Sequence, residues 1–357
     1  MSGNMINISG PGFHREQGYT YTSPTQVTLV AEMSANHNGS IDRAEAIIRA
    51  AADSGADAIK LQTYTADTLT IDSNKECFRI KGTIWEGRTL YDLYREAYTP
   101  WEWTPHLIDL ARGLGMDCFS TPFDVTAVDF LEECRVSRYK IASFELVDIP
   151  LLKKIAVTGK PVILSTGMAT LAEIDEAVRT LRDNHAGEIT LLKCTSAYPA
   201  PPDEAHLRTI PHLAQTFSCK VGLSDHTIGS AVPVAAVALG ATLIEKHFTL
   251  SQADGGPDAT FSIEPEAFAQ MVHDVRTVEK ALGNVSYRLT PAQEENKAFR
   301  RSLFVVQDIH KGEVFTSQNV RSIRPGYGMH PRYLPTILGR KAPCDIERGT
   351  PLTWELV

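Results

Sequence analysis

Eight times in succession a short apolar run is followed by a longer amphipathic segment, and nothing else in the chain restricts its fold so strongly. The runs are Val27–Glu32, Ala58–Gln62, Asp117–Ser120, Tyr139–Ala142, Pro161–Ser165, Ile189–Cys194, Lys220–Ser224 and Thr242–His247. They are β-branched or otherwise apolar and bounded by Gly, Pro, Ser or Asp, the signature of buried strands. The amphipathic segments are Asp42–Asp53, Pro105–Leu114, Val125–Glu133, Ile149–Val157, Leu171–Asn184, Ala205–Thr216, Ser230–Leu239 and Pro265–Leu282. Ser40, Asp124 and the Thr170/Glu173 pair supply helix-starting caps. Eight β-then-α units with near-continuously apolar strands predict a parallel sheet closed into a (β/α)8 TIM barrel, an α/β fold. An open dinucleotide-binding sheet is the alternative, but the chain has no G-x-G-x-x-G and no Walker A sequence.

Two stretches depart from the alternation. Residues 64–103, between the second strand and its helix, are too long for an ordinary βα loop and carry Phe78, Trp85, Tyr91, Tyr94, Tyr98, Trp101 and Trp103. After residue 283 the helical period stops. Residues 284–300 read as a polar linker, and 301–357 as a second, small domain of short strands and tight turns around Leu303–Val306, His310–Glu313, Val320–Arg324 and Asp345–Gly349. The catalytic domain is therefore expected over 27–283, behind a polar extension at 1–26 that has no apolar core of a signal peptide.

The whole chain, 357 residues with a net charge of −8, shows no basic run of nucleic-acid density and no apolar run of membrane length. No nucleic acid or membrane partner is expected, and the protein should be cytoplasmic. The six cysteines lack C-x-x-C spacing and read as reduced thiols. A small anion remains open as a ligand, because lysines in a cleft outweigh distant acids screened by salt.

Barrels of this kind carry their chemistry at the carboxyl ends of the strands. There the sequence delivers Glu32 followed by Ser34, Asn36 and His37, Lys60 with Gln62, Thr121, Lys140 with Ser143 and Glu145, Ser165, Lys193 with Ser196 and Tyr198, Ser224 with Asp225 and His226, and Glu245 with Lys246 and His247. Alternation within a strand means that not every lysine can face inward, and Lys60 and Lys140 are the choices for the cleft. One lysine alone reads equally well as a rim salt bridge; with several hydroxyls beside them, the set favours binding of phosphate and carboxylate. His226 and His247 end neighbouring strands, with Glu32 close by through barrel closure. Together they fit a divalent metal site that keeps positions open for water and substrate. A barrel metallohydrolase would need a His-x-His pair on the first strand, where Asn36-His37 stands instead. A non-catalytic carbohydrate-binding protein would not need charged residues on most strands.

The stretches Ala31–Gly39, Ala58–Tyr64, Phe119–Phe123, Tyr139–Ser143, Lys193–Pro199, Gly222–His226 and Glu245–Phe248, with Arg324–Gly328 in the tail, resemble the sialic acid synthase family from about Val27 to the end. The resemblance implies a barrel with a C-terminal antifreeze-like (SAF, β-clip) domain, exchanged within a homodimer. It implies condensation of phosphoenolpyruvate with an amino sugar: C3 attacks the aldehyde C1, water adds at C2, and the tetrahedral intermediate loses phosphate by C–O cleavage. It assigns Mn2+ or a similar ion such as Mg2+ to His226 and His247, and Glu32 to metal-bound water or sugar. Lys60, Thr121, Lys140, Ser143, Ser165, Ser196 and Ser224 would hold phosphoenolpyruvate. Tyr198 and Asp258 would line the sugar side, and Arg324 would arrive from the partner subunit. Ser196, Phe144 and Ala259 depart from the pattern of the N-acetylneuraminate enzymes and point to the pseudaminic branch, which uses 2,4-diacetamido-2,4,6-trideoxy-L-altrose. A legionaminate or N-acetylneuraminate branch with the same chemistry is the alternative. Part of the aromatic insertion, with Trp85 and Tyr91 as the residues to test, is expected against the sugar's deoxy and acetamido groups, the alternative for most of its aromatics being plain packing of the insertion on the barrel rim.

Overall fold

Alternation of inward and outward residues, a consequence of the two-residue strand period, builds the barrel. The structure is a computed structural model and describes residues 26–357, so the extension at 1–26 falls outside the described residues except for Gln26. Eight parallel strands close on themselves in chain order: β1 Thr28–Glu32, β2 Ala58–Thr63, β3 Asp117–Pro122, β4 Tyr139–Ile141, β5 Val162–Ser165, β6 Ile189–Cys194, β7 Lys220–Asp225 and β8 Leu243–His247. Val30, Ala58, Phe119, Ile163, Leu192 and Leu243 pack together as the floor inside the barrel. Their chain neighbours, such as Leu29, Ala31, Ile59, Val162, Leu191 and Ile244, face the helices and form the larger core. The period then places the next inward residue of each strand two positions further on. In sequence order these are Glu32, Lys60, Thr121, Lys140, Ser165, Cys194, Ser224 and Glu245, so a polar layer lies directly above the apolar floor.

The covering helices are α1 Ile41–Asp53, α4 Thr104–Gly113, α5 Val125–Glu133, α6 Ile149–Ala156, α7 Leu171–Asp183, α8 Thr209–Phe217, α9 Ala231–Ala238 and α10 Pro265–Leu282, while α2 Ala66–Leu69 and α3 Leu90–Ala97 lie within the insertion. Ser40 and Asp124 accept backbone N–H groups of the first turn, and Thr170 with Glu173 forms a reciprocal capping box. The sixth covering helix starts four residues later than its periodicity predicts. His206 stands at φ 43°, a left-handed conformation that no right-handed helix can contain.

The chain divides into two compact units, one ending at Asn284 and the other comprising Val285–Val357. Residues 285–300, read from sequence as a linker, group with the second unit and include α11 Pro291–Glu295 and a 3-10 turn at Asn296–Phe299. In that unit β9 Ser302–Val305 pairs antiparallel with β10 Val320–Ile323, over a core that includes Leu303, Val305, Ile309, Phe315, Val320 and Ile337. A last short helix, α12, spans Leu334–Ile337.

Candidate active site

The strand registers bring the polar layer together. Glu32 is level with Lys60 on one side and with His247 on the other, and Ser224 is level with both Cys194 and Glu245. Lys60 Nζ lies 2.6 Å from Glu32 Oε2 and 3.7 Å from Glu245 Oε1, and it donates to Thr121 Oγ1 at 3.2 Å. Lys140 Nζ reaches Glu245 Oε1 at 3.2 Å, and Ser224 Oγ donates to the same oxygen at 3.3 Å. Two lysines and two glutamates are thus buried as a connected network, which hydrogen bonding and mutual charge must hold against a large desolvation cost.

Each titration shift follows from that competition. Burial pushes the Glu32 carboxyl up to about 7, against the pull of Lys60. Burial alone would also raise Glu245, but Lys140 and Lys60 outweigh it and hold that carboxyl below its usual range. For Lys60 burial is outweighed by Glu245 and Glu32 and the pKa rises, whereas for Lys140 burial wins and the pKa falls.

The two imidazoles stand side by side, ring centres 5.3 Å apart and planes inclined by 52°. His226 Nδ1 donates to Thr195 O at 2.9 Å, since a carbonyl can only accept, and this leaves Nε2 with its lone pair. Burial would lower His226 and raise the Cys194 thiol. Contact between the two reverses both, raising His226 and bringing Cys194 down to about 7. His247 Nδ1 is buried without a hydrogen-bond partner. Burial first, then the positive charge of His226 and the lysines, keeps that ring well below its ordinary value and hence neutral. Once His226 gives up its proton, its Nε2 and the unpartnered Nδ1 of His247 would present two lone pairs that fit a divalent cation. Among the described residues no group of three or more His, Cys, Asp or Glu is placed to hold one, so further ligands would have to be water or substrate.

Above the polar layer opens a cavity of about 480 Å3. Of the residues singled out from sequence, Lys60, Lys140, Ser143, Ser165, Tyr198, Ser224, His226, His247 and Asp258 line it. Glu32 and Thr121 stand behind Lys60 and do not line the cavity, acting on it through that lysine. Ser196 does not line it either, but it converges with Ser143 on Gly167. A Cβ built on Gly167 would collide with Ser196 Oγ and lie 2.7 Å from Ser143 Oγ, while Gly167 N–H donates to Ser143 Oγ at 3.1 Å. Two hydroxyls converging at a side-chain-free turn, one of them oriented by the Gly167 amide, make a cradle suited to an oxyanion. Asp258 accepts from Ser34 Oγ and from Ala35 N, yet burial raises its pKa. Tyr198 packs on His226 at 4.4 Å and on Phe261 at 4.9 Å. Arg324 belongs to the second unit and follows β10.

Lys246 faces the helix layer, bonding Asp225 at 2.5 Å and Thr227 O, and Lys193 bonds Cys194 O and Thr195 Oγ1. Neither lines the cavity. The insertion divides as well. Trp85 lines the cavity with its Nε1 donating to Pro257 O at 2.8 Å, and Tyr94 lines it too. Tyr91, expected against the sugar, instead turns its hydroxyl to Asp67 and is not among the lining residues. Trp101 stacks on Phe130 and Trp103 meets His37 edge-on, so both serve packing. Glu245, Gln62 and Glu145, which the sequence also places at or just past strand ends without a role of their own, line the cavity too. The strand period turns the first two inward, since Glu245 is two residues from His247 and Gln62 two from Lys60. Glu145 lies beyond β4 in a 3-10 turn, where no period applies.

A closed barrel whose mouth joins buried lysines, carboxylates and paired imidazoles to a largely apolar cavity defines a (β/α)8-barrel enzyme for a small anionic substrate. Comparison with known proteins narrows that class. The chain belongs to the NeuB family, which it matches over residues 47–287, and residues 300–357 match the SAF domain. It is 45% identical over 326 residues to the pseudaminic acid synthase of Helicobacter pylori, covering 91% of this chain and 96% of that protein. It is 44% identical over 332 residues to the pseudaminic acid synthase of Campylobacter jejuni, covering 93% and 97%. Among solved structures it resembles the N-acetylneuraminic acid (sialic acid) synthetase of Leptospira borgpetersenii in complex with citrate. That likeness has a TM-score of 0.68 and 32% identity, and covers 76% of this chain and 90% of the other.

Proposed function

We propose that the chain makes pseudaminic acid by condensing phosphoenolpyruvate with 2,4-diacetamido-2,4,6-trideoxy-L-altrose. The observation that carries the reading is the polar layer itself, in which Lys60 and Lys140 face one cavity beside the Gly167 cradle and the two imidazoles. Identity of 44–45% to two pseudaminic acid synthases across more than nine-tenths of the chain supports the choice of sugar. Ser143, whose hydroxyl the Gly167 N–H orients, and Ser196 would take phosphate oxygens, and Lys60 and Lys140, with Ser165 and Ser224, the carboxylate. C3 of the enol phosphate forms a bond to C1 of the sugar aldehyde, and the aldehyde oxygen takes up a proton. Water adds at C2, losing a proton, and the C2–O bond to phosphate breaks with release of inorganic phosphate. Glu32, buried behind Lys60, would act on that water through the lysine it holds. A divalent ion such as Mn2+ or Mg2+, held by His226 and His247, would polarise the aldehyde. Tyr198 and Asp258 would face the sugar. We further propose that the enzyme works in the cytoplasm as a homodimer in which Arg324 of one subunit completes the partner's site.

The test follows phosphate released from phosphoenolpyruvate with each candidate amino sugar, in Mn2+ or in chelator. Metal-dependent release with the trideoxy sugar and little with N-acetylmannosamine is expected. His226→Ala should lose nearly all activity and, independently, the rise in melting temperature that Mn2+ gives the wild type. Release with N-acetylmannosamine alone would move the chain to the neuraminate branch.

A further inference from the structure

Helix α3, within the insertion, has two unlike faces. Leu90, Leu93, Tyr94 and Ala97, spaced i, i+3, i+4 and i+7, all line the cavity, whereas Asp92, Arg95 and Glu96 are exposed. An amphipathic helix ordinarily spends such an apolar stripe on packing against a core. Here the stripe borders space that a ligand would enter, and Trp85 and Phe123 extend the same surface. The lining is therefore split by origin. Strand ends contribute charges, hydroxyls and imidazoles, and the insertion contributes hydrocarbon.

A substrate held at the strand ends through its anionic and carbonyl groups must turn its remaining end toward that hydrocarbon. We infer that the apolar stripe of α3 is a specificity surface, selecting a sugar tail that ends in methyl groups, acetamido or 6-deoxy, over one that ends in hydroxyls. The inference rests on the sugar-condensing reading above and adds the residues that choose the sugar. Methyl groups gain by leaving water against Leu90 and Ala97, whereas a hydroxyl desolvated against those two side chains finds no partner on either. Discrimination of this kind between an apolar wall and a hydroxylated analogue is on the order of tenfold to hundredfold.

The experiment measures kcat and KM for 2,4-diacetamido-2,4,6-trideoxy-L-altrose and for N-acetylmannosamine at saturating phosphoenolpyruvate, in the wild type, Leu90→Ala and Ala97→Ser. Both substitutions lie at helix ends, and Ala97→Ser changes one atom, so it tests the stripe should Leu90→Ala fail to fold. We expect KM for the trideoxy sugar to rise about tenfold, KM for phosphoenolpyruvate to stay within about twofold, and the preference between the two sugars to narrow. Equal proportional losses with both sugars, or an unchanged sugar KM, would overturn the inference while the reaction stands. A wild type that releases no phosphate with either sugar would instead sink the reaction reading, and the inference with it.

Discussion

Lys140 on β4 and Glu245 on β8 meet at 3.2 Å across the middle of the barrel, although three strands separate them in either direction around it. The carboxylate that joins them is also within 3.7 Å of Lys60, so one buried anion holds two buried cations in place. Glu245→Gln removes that charge and leaves Lys140 without its buried carboxylate while Lys60 keeps only Glu32, a defect that costs about 3 kcal/mol in buried ion pairs. The melting temperature should fall by several degrees. Phosphoenolpyruvate brings its own negative charge to the lysines, so it should raise the midpoint of the variant more than that of the wild type. Thermal melts with and without the ligand check this, and an unchanged midpoint would count against the network.

Glu145 gives the pH dependence its sign. Burial, only partly opposed by its own hydrogen bond to backbone and by Lys140, raises its carboxyl from 4.5 to about 7. The folded protein therefore keeps a proton that the unfolded chain releases above pH 4.5. The resulting stability is fully present below that value and is lost as pH rises towards and through 7. Urea midpoints measured from pH 4.5 to 7.5 should decline more steeply for the wild type than for Glu145→Gln, which has no proton to lose. Parallel curves would mean that the carboxyl titrates normally.

Gly167 is the position where a single methyl group should separate the two substrates. The collision with Ser196 Oγ and the 2.7 Å approach to Ser143 Oγ mean that Gly167→Ala must push at least one hydroxyl aside. A displacement of that size costs up to about a hundredfold in rate where it disturbs a bound anion. KM for phosphoenolpyruvate should rise at least about tenfold with little change in KM for the sugar. Steady-state kinetics with each substrate varied in turn decide the point, and a loss confined to the sugar would remove the cradle from the phosphate site.

The barrel was legible because burial on both faces writes strands as apolar runs, and the caps at Ser40, Asp124 and Thr170 fixed where helices begin. Inward placement of Lys60 and Lys140 was legible too, and the same two-residue period separates Glu245 from Lys246: one enters the network and the other bonds Asp225. What the sequence concealed lies off the strands. The aromatics of 64–103 carry no period that tells a cavity wall from packing, so Tyr91 looked as suitable as Trp85, and only the fold of the insertion separates them. The pairing of Cys194 with His226 joins two strand ends and depends on how far each side chain reaches inward, which composition and spacing do not encode.

Arg324 offers a test of assembly as well as of chemistry. It lies in the second unit, and in the proposed dimer it serves the partner's sugar. Arg324→Ala should raise KM for the sugar more than KM for phosphoenolpyruvate, and His226→Ala should be inactive. Mixed in equal amounts and allowed to exchange subunits, the two variants give hybrid dimers in which one site combines an intact His226 with an Arg324 supplied by the other chain. With half the dimers hybrid and one competent site in each, activity should recover to about one quarter of the wild type. If Arg324 serves its own barrel, neither site of a hybrid is complete, and the mixture should show only the residual activity of Arg324→Ala. Activity of the mixture against subunit-exchange time, with the hybrid fraction followed by native mass spectrometry, distinguishes the two arrangements. Recovery that tracks the hybrid fraction requires exchange of the arginine between subunits, because no other pairing of these two variants contains a whole site.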